Sequence, residues 1–501
     1  MSGITYIVTV LGILLAKALG FGRNVIFASA FGADEFTDIY FQVFGIASFL
    51  FTGIGTALGT LVIKNLNKAE NSLPEVRKNY VSRFIGRISI IIIALTVLMY
   101  MGTDIIVKML LPGLGEAFLP AARQMMRIML PSGLFIIVAY IIAGILQNCK
   151  KFFITSIMSL PYNIIIIAVL LFRNVDIFTI SAITTFGWFL HAVILLPAFY
   201  REGFRFFYRG EASSAPISKE RSLEVLYIFI SSMMFHMCFV FDKAAVSHDV
   251  GAATTINYAS SLFSTIASVF VVAMSNVSFP SISKNYEKGD RDAIKKTTVQ
   301  LISLLFAIIV PFILAALIFG GDIISLLYER GEFTSQLANE TAILFTVYTF
   351  GIFGYICQEL FNKLLYLDSR YAAPVIGSIS IIIAKPLINL IAGKYGVVAI
   401  AVSTTVLFTI YAVVIAAAMT RVTGNYVTAA LGRNLFKILC AGICAVGAWW
   451  IFSATGFDPI GGKLGFILPL TACAVVYVAI IWLTGLVKVL LPPRREVEQN
   501  K

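Results

Sequence analysis

Charge is what this chain has least of. Acidic and basic residues make up 13% of its 501 residues, against a hydrophobic share of 59%, where a soluble domain carries roughly 25% charged residues. A surface so short of charge cannot stay dissolved, which excludes a water-soluble enzyme, a secreted disulfide scaffold and a nucleic-acid binder. Cysteine is scarce too, and the six present form no CxxC pair or Cys/His cluster, so no metal site is expected. A glycine-rich P-loop and a GxSxG nucleophile motif are both missing, which leaves ATP hydrolysis and covalent catalysis without support. No enzymatic activity and no cofactor are expected.

What the chain does have is long apolar runs. Mean hydropathy is +0.91, and the charges fall in clumps between stretches of about 20 apolar residues, enough to cross a hydrocarbon core of roughly 30 Å. The pattern predicts an all-α polytopic membrane protein with fourteen transmembrane helices, near 4–31, 37–63, 81–102, 121–147, 152–172, 177–199, 223–247, 253–280, 297–319, 336–362, 372–392, 397–419, 434–453 and 464–487. The first run is too long for a cleaved leader and is interrupted by Lys17, so it reads as a resident helix. With the N-terminus taken as cytoplasmic, 27 of the 38 Lys and Arg fall in inner segments and five in outer loops. That asymmetry places both termini inside. The net charge of +12 is then a topology signal and an attraction to anionic inner-leaflet lipid.

An internal repeat runs through the first half. Ile180–Thr185 (ISAITT) recurs as Ile400–Thr405 (IAVSTT), Asp104-Ile105-Ile106 as Asp322-Ile323-Ile324, Gly32-Ala33 as Gly251-Ala252, and Asn148-Cys149-Lys150 as Asp368-Ser369-Arg370, all at offsets of 218–220. Six spans per unit is an even number, so both copies keep the same orientation. Transporters place their substrate between such parallel halves. The expectation is two six-helix lobes around a central cavity, residues 1–222 and 223–422, with two extra C-terminal helices in 423–501, working by alternating access.

Polar residues within the spans mark candidate sites, since a charge at the bilayer centre costs roughly 2.5–3.5 kcal/mol unless it meets a cavity or a partner. Lys17 and Arg23 flank Gly20 and Gly22 in the first span. Six residues apart, they point about 120° from one another on a straight helix; a kink or unwound stretch at the glycines would turn both toward one cavity. There they would meet an anionic headgroup, the Arg fork suiting phosphate oxygens. The alternative is that Lys17 snorkels and Arg23 pairs with Asp38. Asp242 and Lys243 lie in span seven, Asp242 at the repeat position of Arg23, while Lys385 and Asn389 in span eleven are four apart and share a face. Asp242 and Lys385 would make a buried pair whose protonation follows conformation; Asp242, Asn389 and Thr405 would instead offer oxygens to Na⁺. Both readings stand, with the Lys385 ammonium weighing against bound Na⁺. His191 and His236 are lone histidines on apolar helices and read as packing residues.

Several segments resemble the MurJ (MviN) family: Leu19–Arg23 (LGFGR), Ala30–Ala33 (AFGA) with Thr37 and Asp38, Phe279–Ser283 (FPSIS) and, most specifically, Tyr328–Thr334 (YERGEFT). The similarity covers essentially the whole chain, within the superfamily of multidrug, oligosaccharidyl-lipid and polysaccharide exporters. It implies a flippase of the bacterial cytoplasmic (inner) membrane that moves lipid II, the undecaprenyl-diphosphate-linked peptidoglycan precursor, to the outer leaflet. The last two spans would form a groove for the polyprenyl tail.

On that resemblance Lys17 and Arg23 belong to the substrate site, with Asp38 beside them as a further candidate, and two further positions where the family carries arginine fall at Thr52 and Ser261 here. The ion-coupling positions are Asp242, Lys243, Lys385, Asn389 and Thr405, with Lys385 where a neutral residue is usual and Asn24 where an acid usually follows the first-span arginine. Coupling to Na⁺, H⁺ or the membrane potential stays open. The implied partners are the lipid-linked glycan, membrane lipids and other cell-wall synthesis proteins, with no nucleic acid. Two competing readings are a flippase for another polyprenyl-linked oligosaccharide, suggested by the two absent cations, and a cation-coupled exporter of small amphipathic molecules. Asp38 and Asp242 permit the exporter; Lys17 and Arg23 oppose it.

Overall fold

The computed structural model describes residues 3–68, 74–172, 175–207, 219–277, 286, 289–455 and 461–487. The FPSIS segment at 279–283 lies outside them. Among the described residues all regular structure is helical, as lipid demands of a chain that must satisfy its own backbone. The main helices are α1 (Gly3–Phe31), α2 (Glu35–Gly45), α3 (Phe51–Lys68), α4 (Pro74–Met101), α5 (Thr103–Leu110), α6 (Leu119–Met129), α7 (Ser132–Asn148), α8 (Phe152–Ser156), α9 (Leu160–Leu170), α10 (Ile177–Val193), α11 (Leu196–Arg201), α12 (Lys219–Ala245) and α13 (Ala252–Val277). They continue as α14 (Arg291–Tyr328), α15 (Ser335–Phe350), α16 (Ile352–Leu367), α17 (Ala372–Ala392), α18 (Val397–Thr423), α19 (Ala429–Ala454) and α20 (Ile467–Leu483).

Among the described residues, eleven helices are long and apolar enough to cross a membrane, and the pair α15–α16, bent by 40°, passes the same test when taken together. The other two expected spans are helical as well. One is α2–α3, interrupted by a π turn over Ile46–Leu50, and the other is α13. Both carry rows of Thr, Ser and Asn that lower their hydropathy.

The chain divides into two compact units: unit 1 holds residues 1–258, 330–334 and 378–397, and unit 2 holds 259–329, 335–377 and 398–501. In unit 1, α3 and α7 meet through glycines. A Cβ on Gly144 would lie 2.7 Å from the Gly59 carbonyl oxygen, and one on Gly59 would lie 2.7 Å from the Tyr140 carbonyl oxygen, so hydrogen is the only substituent that fits either contact. In unit 2, α14, α19 and α20 pack around Ile438, Ala441, Tyr477 and Ile481. Polar bonds fix that packing: Tyr477 OH donates to Ala307 O at 2.8 Å and Asn434 Nδ2 to Ser303 Oγ at 3.0 Å.

The repeat read from short sequence matches recurs as local geometry. α7 ends with Lys150 at φ 60° and α16 with Ser369 at φ 54°. In the first, Lys150 N donates to Gln147 O and Lys151 N to Leu146 O; in the second, Ser369 N donates to Tyr366 O and Arg370 N to Leu365 O. Both are Schellman caps, one in each unit. The left-handed glycines Gly32 and Gly251 follow the same spacing. So do two helix-to-helix bonds, Thr185 Oγ1 to Ile128 O at 2.8 Å in unit 1 and Thr405 Oγ1 to Val347 O at 2.9 Å in unit 2.

Candidate functional site

Three of the singled-out residues converge in unit 1. Asp242 near the end of α12 and Lys385 in α17 form an ion pair of 2.6 Å between side chains with no exposed surface. Asn389, one turn beyond Lys385, closes the group: its Oδ1 accepts from Lys385 Nζ at 2.8 Å, and its Nδ2 donates to Asp242 Oδ1 and to Phe241 O, each at 3.1 Å. The four-residue spacing on α17 makes this possible by stacking both side chains on one face. The Lys385 ammonium therefore occupies the position beside the Asp242 carboxylate.

Lys243 points elsewhere, as neighbours about 100° apart on a helix must. Its Nζ donates to Phe41 O and to Asn257 Oδ1, each at 3.2 Å, deep in unit 1. Thr405 belongs to unit 2, where its hydroxyl makes the α18-to-α15 bond already described.

Asp38 is buried, and its carboxylate caps the start of α13: Gly251 N donates to Oδ2 at 2.7 Å, Thr254 N to Oδ1 at 2.7 Å and Thr254 Oγ1 to Oδ1 at 2.6 Å. A carboxylate at a helix N-terminus meets unpaired N–H groups and the positive end of the dipole. Asp38 thus serves as a long-range cap and not as the partner of Arg23.

Arg23 is half-buried between aromatic rings. Its guanidinium carbon lies 5.1 Å from the Tyr162 ring centre and 6.0 Å from that of Phe44, and Nε and Nη2 both donate to Asn24 Oδ1 at 3.2 and 2.8 Å. The ring layer continues from Tyr162 to Trp188 (4.7 Å between centres) and on to His191 (5.0 Å). His191 is buried in that stack, as a packing histidine would be. The break that the glycines of α1 permit does not occur. The helix runs unbroken through Gly20 and Gly22, since glycine permits unwinding without requiring it, and Lys17 stays on a different face, exposed.

The remaining two positions carry short hydroxyls. Thr52 is half-buried in unit 1, where its backbone carbonyl accepts from the Thr56 hydroxyl at 2.8 Å. Ser261 is half-buried in unit 2, where its carbonyl accepts from Ser264 and Thr265 hydroxyls. Neither supplies charge.

The YERGEFT segment is explained by backbone contact. Gly331 has φ 59°, and a Cβ there would collide with Ser29 O. Glu332 N donates to that same carbonyl at 3.0 Å, and Phe333 packs edge-on to Tyr258.

The sequence model of the family described as "Lipid II flippase MurJ" matches residues 27–463. The chain belongs to the MurJ family. Among curated MurJ relatives, the probable lipid II flippase of Buchnera aphidicola subsp. Acyrthosiphon pisum is 23% identical over 387 residues, 75% of each chain. The lipid II flippase of Thermosipho africanus is 25% identical over 396 residues, 78% of this chain and 80% of that one. Among solved structures, a lipid II flippase MurJ in an inward closed conformation superposes with TM-score 0.77 at 21% identity, covering 96% of this chain and all of that one. An inward-facing multidrug resistance MATE transporter of the MOP superfamily follows at TM-score 0.63 and 11% identity, covering 84% and 98%. The MurJ fold therefore extends over nearly the whole chain, the last two spans included.

Proposed function

We propose that this chain translocates lipid II from the inner to the outer leaflet of the bacterial cytoplasmic membrane by alternating access, with both termini cytoplasmic and no covalent change to the substrate. The observation that carries this reading is membership of the MurJ family across residues 27–463. Arg23 is the residue we assign to the diphosphate. Its Nη1 makes none of the bonds to Asn24, and aromatic faces on either side hold the fork in place. Lys17 is a second cation on the same helix, exposed on a different face.

The triad supports coupling without Na⁺: with the Lys385 ammonium against Asp242, the membrane potential or a proton supplies the drive. Two observations favour a second reading, another polyprenyl-linked oligosaccharide as cargo: Thr52 and Ser261 stand where family arginines would grip a diphosphate. Replacement of an essential lipid II flippase by this gene decides between the two. Growth, with labelled lipid II reaching the outer leaflet, supports the first; a well-inserted protein that fails to rescue until Thr52→Arg and Ser261→Arg are introduced supports the second. Arg23→Ala should abolish rescue without loss of protein.

A further inference from the structure

α4 starts among Arg77, Lys78, Arg83 and Arg87 and runs for 28 residues, which carries it about 42 Å to its far end at a rise of 1.5 Å per residue. Basic residues are sparse at that remote end, in keeping with the topology bias. Two nevertheless stand there together. Arg123 and Arg127 lie four apart on α6, on one face, and with Tyr100, Pro120, Gln124 and Ile128 they line a groove of about 570 Å³.

The charges in the groove do not cancel. Arg123 Nε meets Asp104 Oδ1 at 2.8 Å. Arg127 rests over the Tyr100 ring, with its guanidinium carbon 5.3 Å from the ring centre, and among the described residues it has no carboxylate partner. Next to the groove, α4 and α5 present Ile90, Ile91, Leu98, Met101, Ile105 and Met109, all exposed. In a membrane-spanning chain such a stripe faces acyl chains. A guanidinium fork at interfacial depth above an acyl-facing stripe complements a molecule with a phosphate at its head and hydrocarbon below it.

We propose that this groove holds the phosphate headgroup of an anionic glycerophospholipid, in the leaflet opposite the basic segments. Arg127 is the principal contact, Arg123 and Gln124 flank it, and the acyl chains lie along α4 and α5. The assignment rests on the membrane-spanning reading of α4 and is independent of which cargo the protein carries.

The test uses the full-length protein, purified in detergent and titrated with phosphatidylglycerol or phosphatidylcholine, with bound lipid counted by native mass spectrometry. Wild type should retain phosphatidylglycerol in preference to phosphatidylcholine. Arg127→Gln should weaken phosphatidylglycerol binding about fivefold, the worth of one interfacial base. Lys108→Gln, an exposed base on α5 that does not line the groove, should leave binding unchanged. Equal retention of the two lipids by wild type would overturn the proposal with no variant needed. So would a Lys108→Gln loss as large as that of Arg127→Gln, which would reduce the site to diffuse charge. Displacement of phosphatidylglycerol by equimolar undecaprenyl diphosphate would assign the groove to the cargo and equally overturn it.

Discussion

The Asp242–Lys385 pair permits a double-mutant cycle with a large expected signal. Removing one member of a buried ion pair costs about 3–5 kcal/mol, because the survivor is stranded in low dielectric, whereas replacing both by apolar groups of similar volume is often neutral or stabilising. Lys385→Met leaves the carboxylate with the Asn389 amide as its remaining side-chain donor from this group, and Asp242→Leu leaves the ammonium with Asn389 Oδ1 as its remaining acceptor from this group. Each single variant should lose stability in that range, and the double variant should lie closer to wild type than either. Unfolding in mixed micelles, followed by tryptophan fluorescence, reads all four corners of the cycle. The cation enters as a second axis. Exchanging Na⁺ for choline should leave wild-type stability unchanged, because an ammonium already sits beside Asp242. Lys385→Ala should make stability rise with Na⁺, by about 2.7 kcal/mol once the ion reaches a hundred times its dissociation constant. A double variant as unstable as the sum of the singles, or a wild type stabilised by Na⁺, would refute the reasoning.

Three more perturbations test other contacts. Asp38→Ala strips the cap from α13 and should cost about 2–3 kcal/mol, the worth of hydrogen bonds to a buried charge, measured as earlier unfolding with the protein still inserted. Gly144→Ala forces a methyl onto the Gly59 carbonyl; overpacking of this kind costs about 1–3 kcal/mol, read in the same unfolding assay. Outside the spans, Ser325 and Ser335 hydroxyls and Lys463 hold the Glu329 carboxyl down to about 2 from an ordinary 4.5. A depressed carboxyl stabilises above its unfolded value and loses that contribution as pH falls toward the folded one. Hydrogen exchange around residues 325–335 should therefore quicken as pH drops from 4.5 toward 2 after correction for intrinsic rates, and Glu329→Gln should flatten the dependence.

The cargo reading depends more on family membership than on geometry, and the substrate residues show why. Arg23 was conspicuous in the sequence as a charge inside an apolar run, but the ring layer that holds it comes from α2, α9 and α10 and left no local signature. Thr52 and Ser261 stand out by resemblance alone; in the structure both are half-buried side chains that carry no charge. A break at Gly20 and Gly22 would let Lys17 and Arg23 converge, and α1 instead remains a continuous helix. A glycine lowers the barrier to unwinding, while the intact ladder of backbone hydrogen bonds is what lipid favours.

By itself the sequence determined the features that depend on local composition and period. The all-α class follows from apolar runs of bilayer length, the duplication from matches at a near-constant spacing, and the buried charges from their isolation among apolar neighbours. The Schellman caps at Lys150 and Ser369 repeat because short segments encode their own turns. The tertiary structure decided among the partners, forming the Asp242–Lys385 pair that the sequence offered as one of two arrangements. Lys385 meets a carboxylate that lies in another helix far along the chain, and Asp38 caps a helix that begins more than 200 residues later. A buried charge must find a counterpart, so the need for one is legible locally. Which counterpart it finds is settled by how the helices pack, and that packing depends on contacts such as Gly59 against Gly144 that no single segment specifies.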